Sequence, residues 1–146
     1  MKYNQLKIII LSIWWGAFTF YSGIVVTVGM QVLGSHIEMG FITQQVTVYL
    51  NIFSLIVFLT YAYCLHNEEF TANSLVEQIA AISIIGFQLL LFLLHYYFTD
   101  LLDFEKHTII NQDNFYLLHR IYLIIETLIW LVISILIIRG IVKLKN

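Results

Sequence analysis

Four long apolar runs, Ile8–Val28, Val46–Leu65, Gln78–Phe98 and Phe115–Ile138, constrain this chain more than any other feature. Each has no polar face along which a water-soluble helix could be wetted. Each also reaches the roughly 20 residues that a helix needs to cross a hydrocarbon core of about 30 Å. Charged residues make up 11% of the 146 residues, about half of what a soluble domain carries. The connectors are too short for a second domain. The reading is an all-α fold: one domain over 1–146, an up-down four-helix bundle in a lipid bilayer.

The basic residues orient it. Lys2 and Lys7 precede the first run, and Arg139, Lys143 and Lys145 close or follow the fourth. Such residues are retained on the cytoplasmic side, which predicts both termini inside, in a plasma or bacterial inner membrane. The connector 29–45 has no Lys or Arg, and 99–114 has only Lys106 against four acids, so both suit the outer side. The inner connector 66–77 carries Glu68, Glu69 and Glu77 with no basic residue, but acids weigh little in orientation. Met1–Val28 begins like a signal peptide, yet its apolar run is too long and no small-x-small site follows. An uncleaved span is expected.

The net charge of −2 and the lack of a basic cluster argue against nucleic acid as a partner. The single cysteine, Cys64, excludes an internal disulfide or a Cys-x-x-Cys pair, and the topology turns it toward the cytoplasm.

Helix starts are marked by Ser74 with Glu77 before the third run, by Asp113 or Asn114 before the fourth, and by Ser35 with Glu38 well ahead of the second. That last pattern reads as an early helix start, with Gly40 permitting a bend, or as a polar loop. Tyr96-Tyr97-Phe98 and Phe115-Tyr116 read as interfacial anchors. Ser12, Gly16, Thr19, Gly23 and Thr27 form one stripe of small residues, expected to be the main packing face of the first helix or a homo-oligomer face. No proline interrupts any span, so straight helices are expected rather than the broken ones of many transporters.

Function narrows to a polar cluster. Glu126 sits at the middle of the fourth run, where an acid costs about 2.5–3.5 kcal/mol and has to find a partner. His119 lies two turns away, about 10.5 Å along the same face, and Arg120 points elsewhere. The third run mirrors this with Gln88 and His95. In antiparallel helices Gln88 is expected to meet Glu126, and His95 to meet His119 one level outward, with Asn51 and Tyr21 or Ser22 joining the outer, histidine rung.

Several readings of the cluster are open. In the first, the polar groups hold helices together, a protonated Glu126 bonding Gln88, in a structural or accessory subunit. In the second, His95 and His119 ligate a b-type haem, although little space is left beside them. A divalent metal is the related option, with His36, His95 and His119 as ligands and Glu38, Asp100, Asp103 and His107 nearby. In the third, Glu126 carries protons in a small transporter, with His119 and His95 as relays and only Ser134 continuing inward. Catalysis is disfavoured, because no Ser or Cys stands beside either histidine.

Trp14-Trp15-Gly16, the stretches Leu33–His36 and Gly40–Gln44, and His119-Arg120 resemble small bacterial four-span membrane proteins of unknown function, and more distantly the membrane domain of copper-resistance proteins. The resemblance implies the four-span architecture and carries no activity with it.

Overall fold

A computed structural model describes residues 2–67 and 72–145, without the side chains of 2, 72–74 and 145. Four antiparallel rods form the bundle. The first is α1 (Lys2–Phe20), a π-helical turn (Tyr21–Val25) and α2 (Val26–Leu33). The others are α3 (His36–His66), α4 (Ala72–Thr99) and α5 (Gln112–Lys145), with a two-stranded hairpin, β1 (Leu102–Asp103) and β2 (Thr108–Ile109), between α4 and α5. All four rods are long and apolar enough to cross a membrane. The expected spans lie inside rods that run well past them at most ends. Both termini lie at one end of the bundle and the hairpin at the other.

The early start of the second rod is borne out. Ser35 is extended, and its hydroxyl accepts the amide N–H of Glu38 at 3.2 Å, satisfying a donor that an uncapped helix leaves bare. The helix continues through Gly40 without interruption. The fourth rod is capped differently from expectation: Asn111, not Asp113 or Asn114, accepts the N–H of Asn114 at 3.1 Å. The third rod begins at Ala72, upstream of the anticipated cap. The side chain of Ser74, and Glu68 and Glu69 entirely, lie outside the described residues.

The core runs the length of the bundle through Leu11, Trp14, Phe58, Leu65, Leu91, Ile129 and Ile133. Each tryptophan also places its indole N–H on a hydroxyl of another rod: Trp14 on Ser54 at 2.7 Å, Trp15 on Ser134 at 2.8 Å, and Trp130 on Thr19 at 2.9 Å. In hydrocarbon no water could satisfy these donors, so the pairs fix rotation as well as distance. The packing face of α1 is therefore Leu11, Trp14 and Phe18, not the small-residue stripe. Ser12, Gly16, Gly23 and Thr27 are exposed, and a Cβ on Gly16 or Gly23 would meet nothing within 4 Å. Thr19 alone of the stripe is tied into the bundle. Small residues do permit close approach at Gly29, where a Cβ would run into Met39 Sδ, and at Gly140, where it would lie 2.7 Å from Ile8 Cγ1.

Cys64 is 1% exposed and sits in the core rather than facing outward. Of the expected anchors, Tyr96, Tyr97 and Tyr116 are exposed, but Phe98 is buried among His95, Phe115, His119 and Tyr122.

Candidate functional site

The polar residues fall into three groups. The first is a buried amide pair. Gln88 donates to Asn51 Oδ1 at 2.9 Å, and Tyr122 donates to the same oxygen at 2.9 Å. Asn51 thus links α3, α4 and α5. This corrects two expectations: Gln88 is turned toward α3 rather than Glu126, and Asn51, expected level with the histidines, lies at the level of Gln88, two turns from the Gln44 that meets His95. Asn51 Nδ2 is buried with no partner among the described residues.

The second group surrounds His95. The amide nitrogen of Gln44 lies 3.3 Å from both ring nitrogens of His95 and also donates to the Thr99 hydroxyl. His95 is therefore satisfied by α3 and by its own helix, not by His119. His119 instead stacks on Phe115, with centroids 5.9 Å apart and planes within 4°, and Phe98 sets its edge or face against both histidines. A haem held between the two rings would have to displace Phe98. No group of three or more His, Cys, Asp or Glu that could hold a metal ion occurs among the described residues, so His36, His95 and His119 are not assembled as ligands. Arg120, counted with the polar intramembrane cluster from the sequence, is exposed.

The third group lines a cavity of about 410 Å³ in the hairpin half of the bundle. The first rod contributes Phe18, Tyr21 and Met30, α3 contributes Gln44 and Thr47, and α5 contributes Phe115, His119, Tyr122 and Glu126. Leu102 and Ile109 of the hairpin line it as well. The hairpin is held over α3 by Phe104, which packs edge-on against Phe41 at 5.2 Å, and by His107 Nδ1, 3.1 Å from Glu38 Oε2.

The π turn shapes this space. α1 packs against both α3 and α5, whereas α2, beyond the turn, packs on α3 and makes no comparable contact with α5. The bare backbone of Gly29 allows that lean. A π turn inserts an extra residue into the helical repeat, which rotates whatever follows it. Between α2 and α5 the cavity is bordered by Ser22, Tyr116 and Leu123, all exposed on the outside of the bundle. The opening is lateral.

Glu126 is half-buried in this cavity, beside Tyr122. Among the described residues no Lys or Arg lines the space. The Tyr21 hydroxyl is buried without a partner among the described residues. Tyr122 and Gln44 escaped sequence reasoning because a tyrosine or glutamine in an apolar run carries no mark of which neighbour it will face.

A further polar site sits at the opposite end. Lys7 Nζ lies 3.0 Å from Glu77 Oε2, and Lys143 binds Glu77 Oε1, so one acid joins α1, α4 and α5. The two lysines read as topology markers, and the acid read as unaccompanied, are partners. Compared with family models, curated proteins and solved structures, the chain matches none. Function is therefore argued from geometry.

Proposed function

We propose that this protein spans a plasma or inner membrane four times, with both termini cytoplasmic, and binds a small amphipathic molecule in the cavity of its hairpin half. The distribution of Lys and Arg supports that orientation, in which the cavity lies in the outer leaflet. The observation that carries the binding role is the cavity itself: about 410 Å³, apolar for most of its wall, opening laterally, with Glu126 and Tyr21 supplying polar groups inside. Ligand sites have this build, a largely apolar concavity with a few placed polar groups. A lateral mouth between α2 and α5 would admit molecules already dissolved in the lipid. The Asn51–Gln88–Tyr122 group is the part that serves as interhelical glue, which leaves Glu126 for the ligand.

The test is a titration of the protein in nanodiscs with Prodan, a neutral amphipathic fluorophore. A saturable blue-shifted component above that of empty nanodiscs, lost when Thr47→Trp fills the cavity, is the expected result. Absence of a saturable component in the unmodified protein refutes the binding role.

A further inference from the structure

Among the described residues Glu126 is the only acid on the cavity wall, and neither Lys nor Arg stands there to balance it. The remaining ionisable groups on the wall are His36 and His119 and the three phenols, Tyr21, Tyr116 and Tyr122. His36 begins α3 at the hairpin end, and His119 lies two turns from Glu126 toward that end and stacks on Phe115. Neither histidine pairs with the carboxyl.

The carboxyl has hydrogen-bonding capacity to spare. The Tyr122 hydroxyl stands beside it, but its one proton goes to Asn51 Oδ1 at 2.9 Å. A carboxylate offers about four acceptor sites, which leaves them available to a ligand. A carboxyl in an apolar, water-poor space is neutral unless a counter-charge pairs with it. The described residues supply none on the cavity wall, which leaves that place to a ligand.

The walls around it are aromatic. Phe18 and Tyr21 come from the first rod, Phe98 from α4, and Phe115 and Tyr122 from α5. Aromatic faces attract cations, more strongly where water is excluded, and they favour quaternary ammonium groups, whose methyls pack on the rings. Anionic ligands would find a carboxylate and no basic side chain. A metal ion would find too few donors.

Resting on the reading of the cavity as a ligand site, we propose that its ligand is a lipophilic organic cation, an amine or quaternary ammonium carried on an apolar body, whose charge is neutralised by Glu126 and flanked by the surrounding rings. The apolar body lies toward the lateral opening, along Met30 and Leu123. The cation completes an electrostatic pair that the protein leaves half-built.

Displacement of Prodan by two molecules of one shape tests this: benzyltrimethylammonium and its uncharged carbon isostere, neopentylbenzene. Each is measured on the unmodified protein and on Glu126→Gln. The expected result is a loss of tenfold or more in the potency of the ammonium on Glu126→Gln, with neopentylbenzene changed less than twofold. If both change alike, or the ammonium never displaces Prodan from the unmodified protein, the cation proposal is overturned while the cavity remains a ligand site. If Prodan itself has no saturable site, the binding role falls first. Should Glu126→Gln fail to fold, the unmodified protein decides between benzyltrimethylammonium and phenylmethanesulfonate: displacement by the anion as readily as by the cation overturns the proposal.

Discussion

Replacing Glu77 with Gln should loosen the terminal end of the bundle by about 3 kcal/mol, the low end of the roughly 3–5 kcal/mol lost when one partner of a buried ion pair is removed. The figure follows from unequal burial. The side chains of Lys7 and Glu77 are 6% and 10% exposed, so without the carboxylate the Lys7 ammonium keeps its desolvation cost and loses its nearest opposite charge. Lys143 is 40% exposed and behaves as a surface partner, contributing about 0.2–1 kcal/mol. The order of effects is therefore fixed: Glu77→Gln is severe, whereas Lys143→Gln costs less than about 1 kcal/mol. The double variant Lys7→Met with Glu77→Met should recover much of the loss, because a buried pair exchanged for apolar groups of similar volume is often near neutral. Reversible unfolding in mixed micelles of dodecylmaltoside and dodecyl sulfate, followed by tryptophan fluorescence, measures all three. If Lys143→Gln were as damaging as Glu77→Gln, the assignment of the desolvated pair to Lys7 would be refuted.

Three other outcomes can be checked with similar means. Asn51→Leu strands the amide of Gln88 and the hydroxyl of Tyr122, and should cost about 1–2 kcal/mol, toward the upper end for interhelical hydrogen bonds in bilayers; an effect below 0.5 kcal/mol, an order-of-magnitude floor for one such bond, would mean the amides find other partners. Gly16→Ala, on an open face, should be neutral or stabilise by up to about 1 kcal/mol through helix propensity, whereas Gly140→Ala drives its methyl to 2.7 Å from Ile8 Cγ1 and should forfeit that gain; equal unfolding curves for the two would contradict the packing. Asp103 accepts the backbone N–H groups of Lys106 at 3.0 Å and Glu105 at 3.1 Å, and the Lys106 N–H foremost holds its carboxyl below the ordinary value of 3.8. A lowered carboxyl contributes its stabilisation above the ordinary value and loses it as pH falls through the lowered one. Amide exchange of Ile110, whose N–H bonds Leu101 O at 2.9 Å, should therefore be insensitive to that turn's titration above pH 3.8 and accelerate below it, beyond the intrinsic rate.

Helix existence and caps were legible in the sequence, depth only in part, and rotation not at all. Residues per span fix how far along the bundle a side chain lies, since each adds about 1.5 Å of rise. Ser35 could be read as a cap from its spacing to Glu38, but Asn51, expected level with the outer histidines, meets Gln88 two turns deeper than Gln44 meets His95. Which neighbour a side chain faces depends on the angle at which rods pack. A residue turned by one position swings about 100°, enough to carry Gln88 from α5 to α3 and to leave His95 with Gln44. The stripe of Gly16 and Gly23 shows the same limit: its spacing marks a face, and the partner of that face is set by where Trp14 and Trp15 find hydroxyls.

The π turn at Tyr21–Val25 is the point at which the remaining uncertainty in rotation becomes a site. A regular helix through this segment would carry the face of Leu11, Trp14 and Phe18 straight on along α5 and close the bundle over Glu126. The extra residue turns α2 toward α3 instead, where Gly29 lets Met39 in, and the wall opposite α5 is left open. Among the described residues, Tyr21, at the start of the turn, keeps a buried hydroxyl with no partner, and Glu126 keeps a carboxyl with no counter-charge on the cavity wall. Both are costs that a bundle built for packing alone would remove by one substitution each. They persist together on one cavity wall, which is the arrangement expected where a ligand supplies the missing partner.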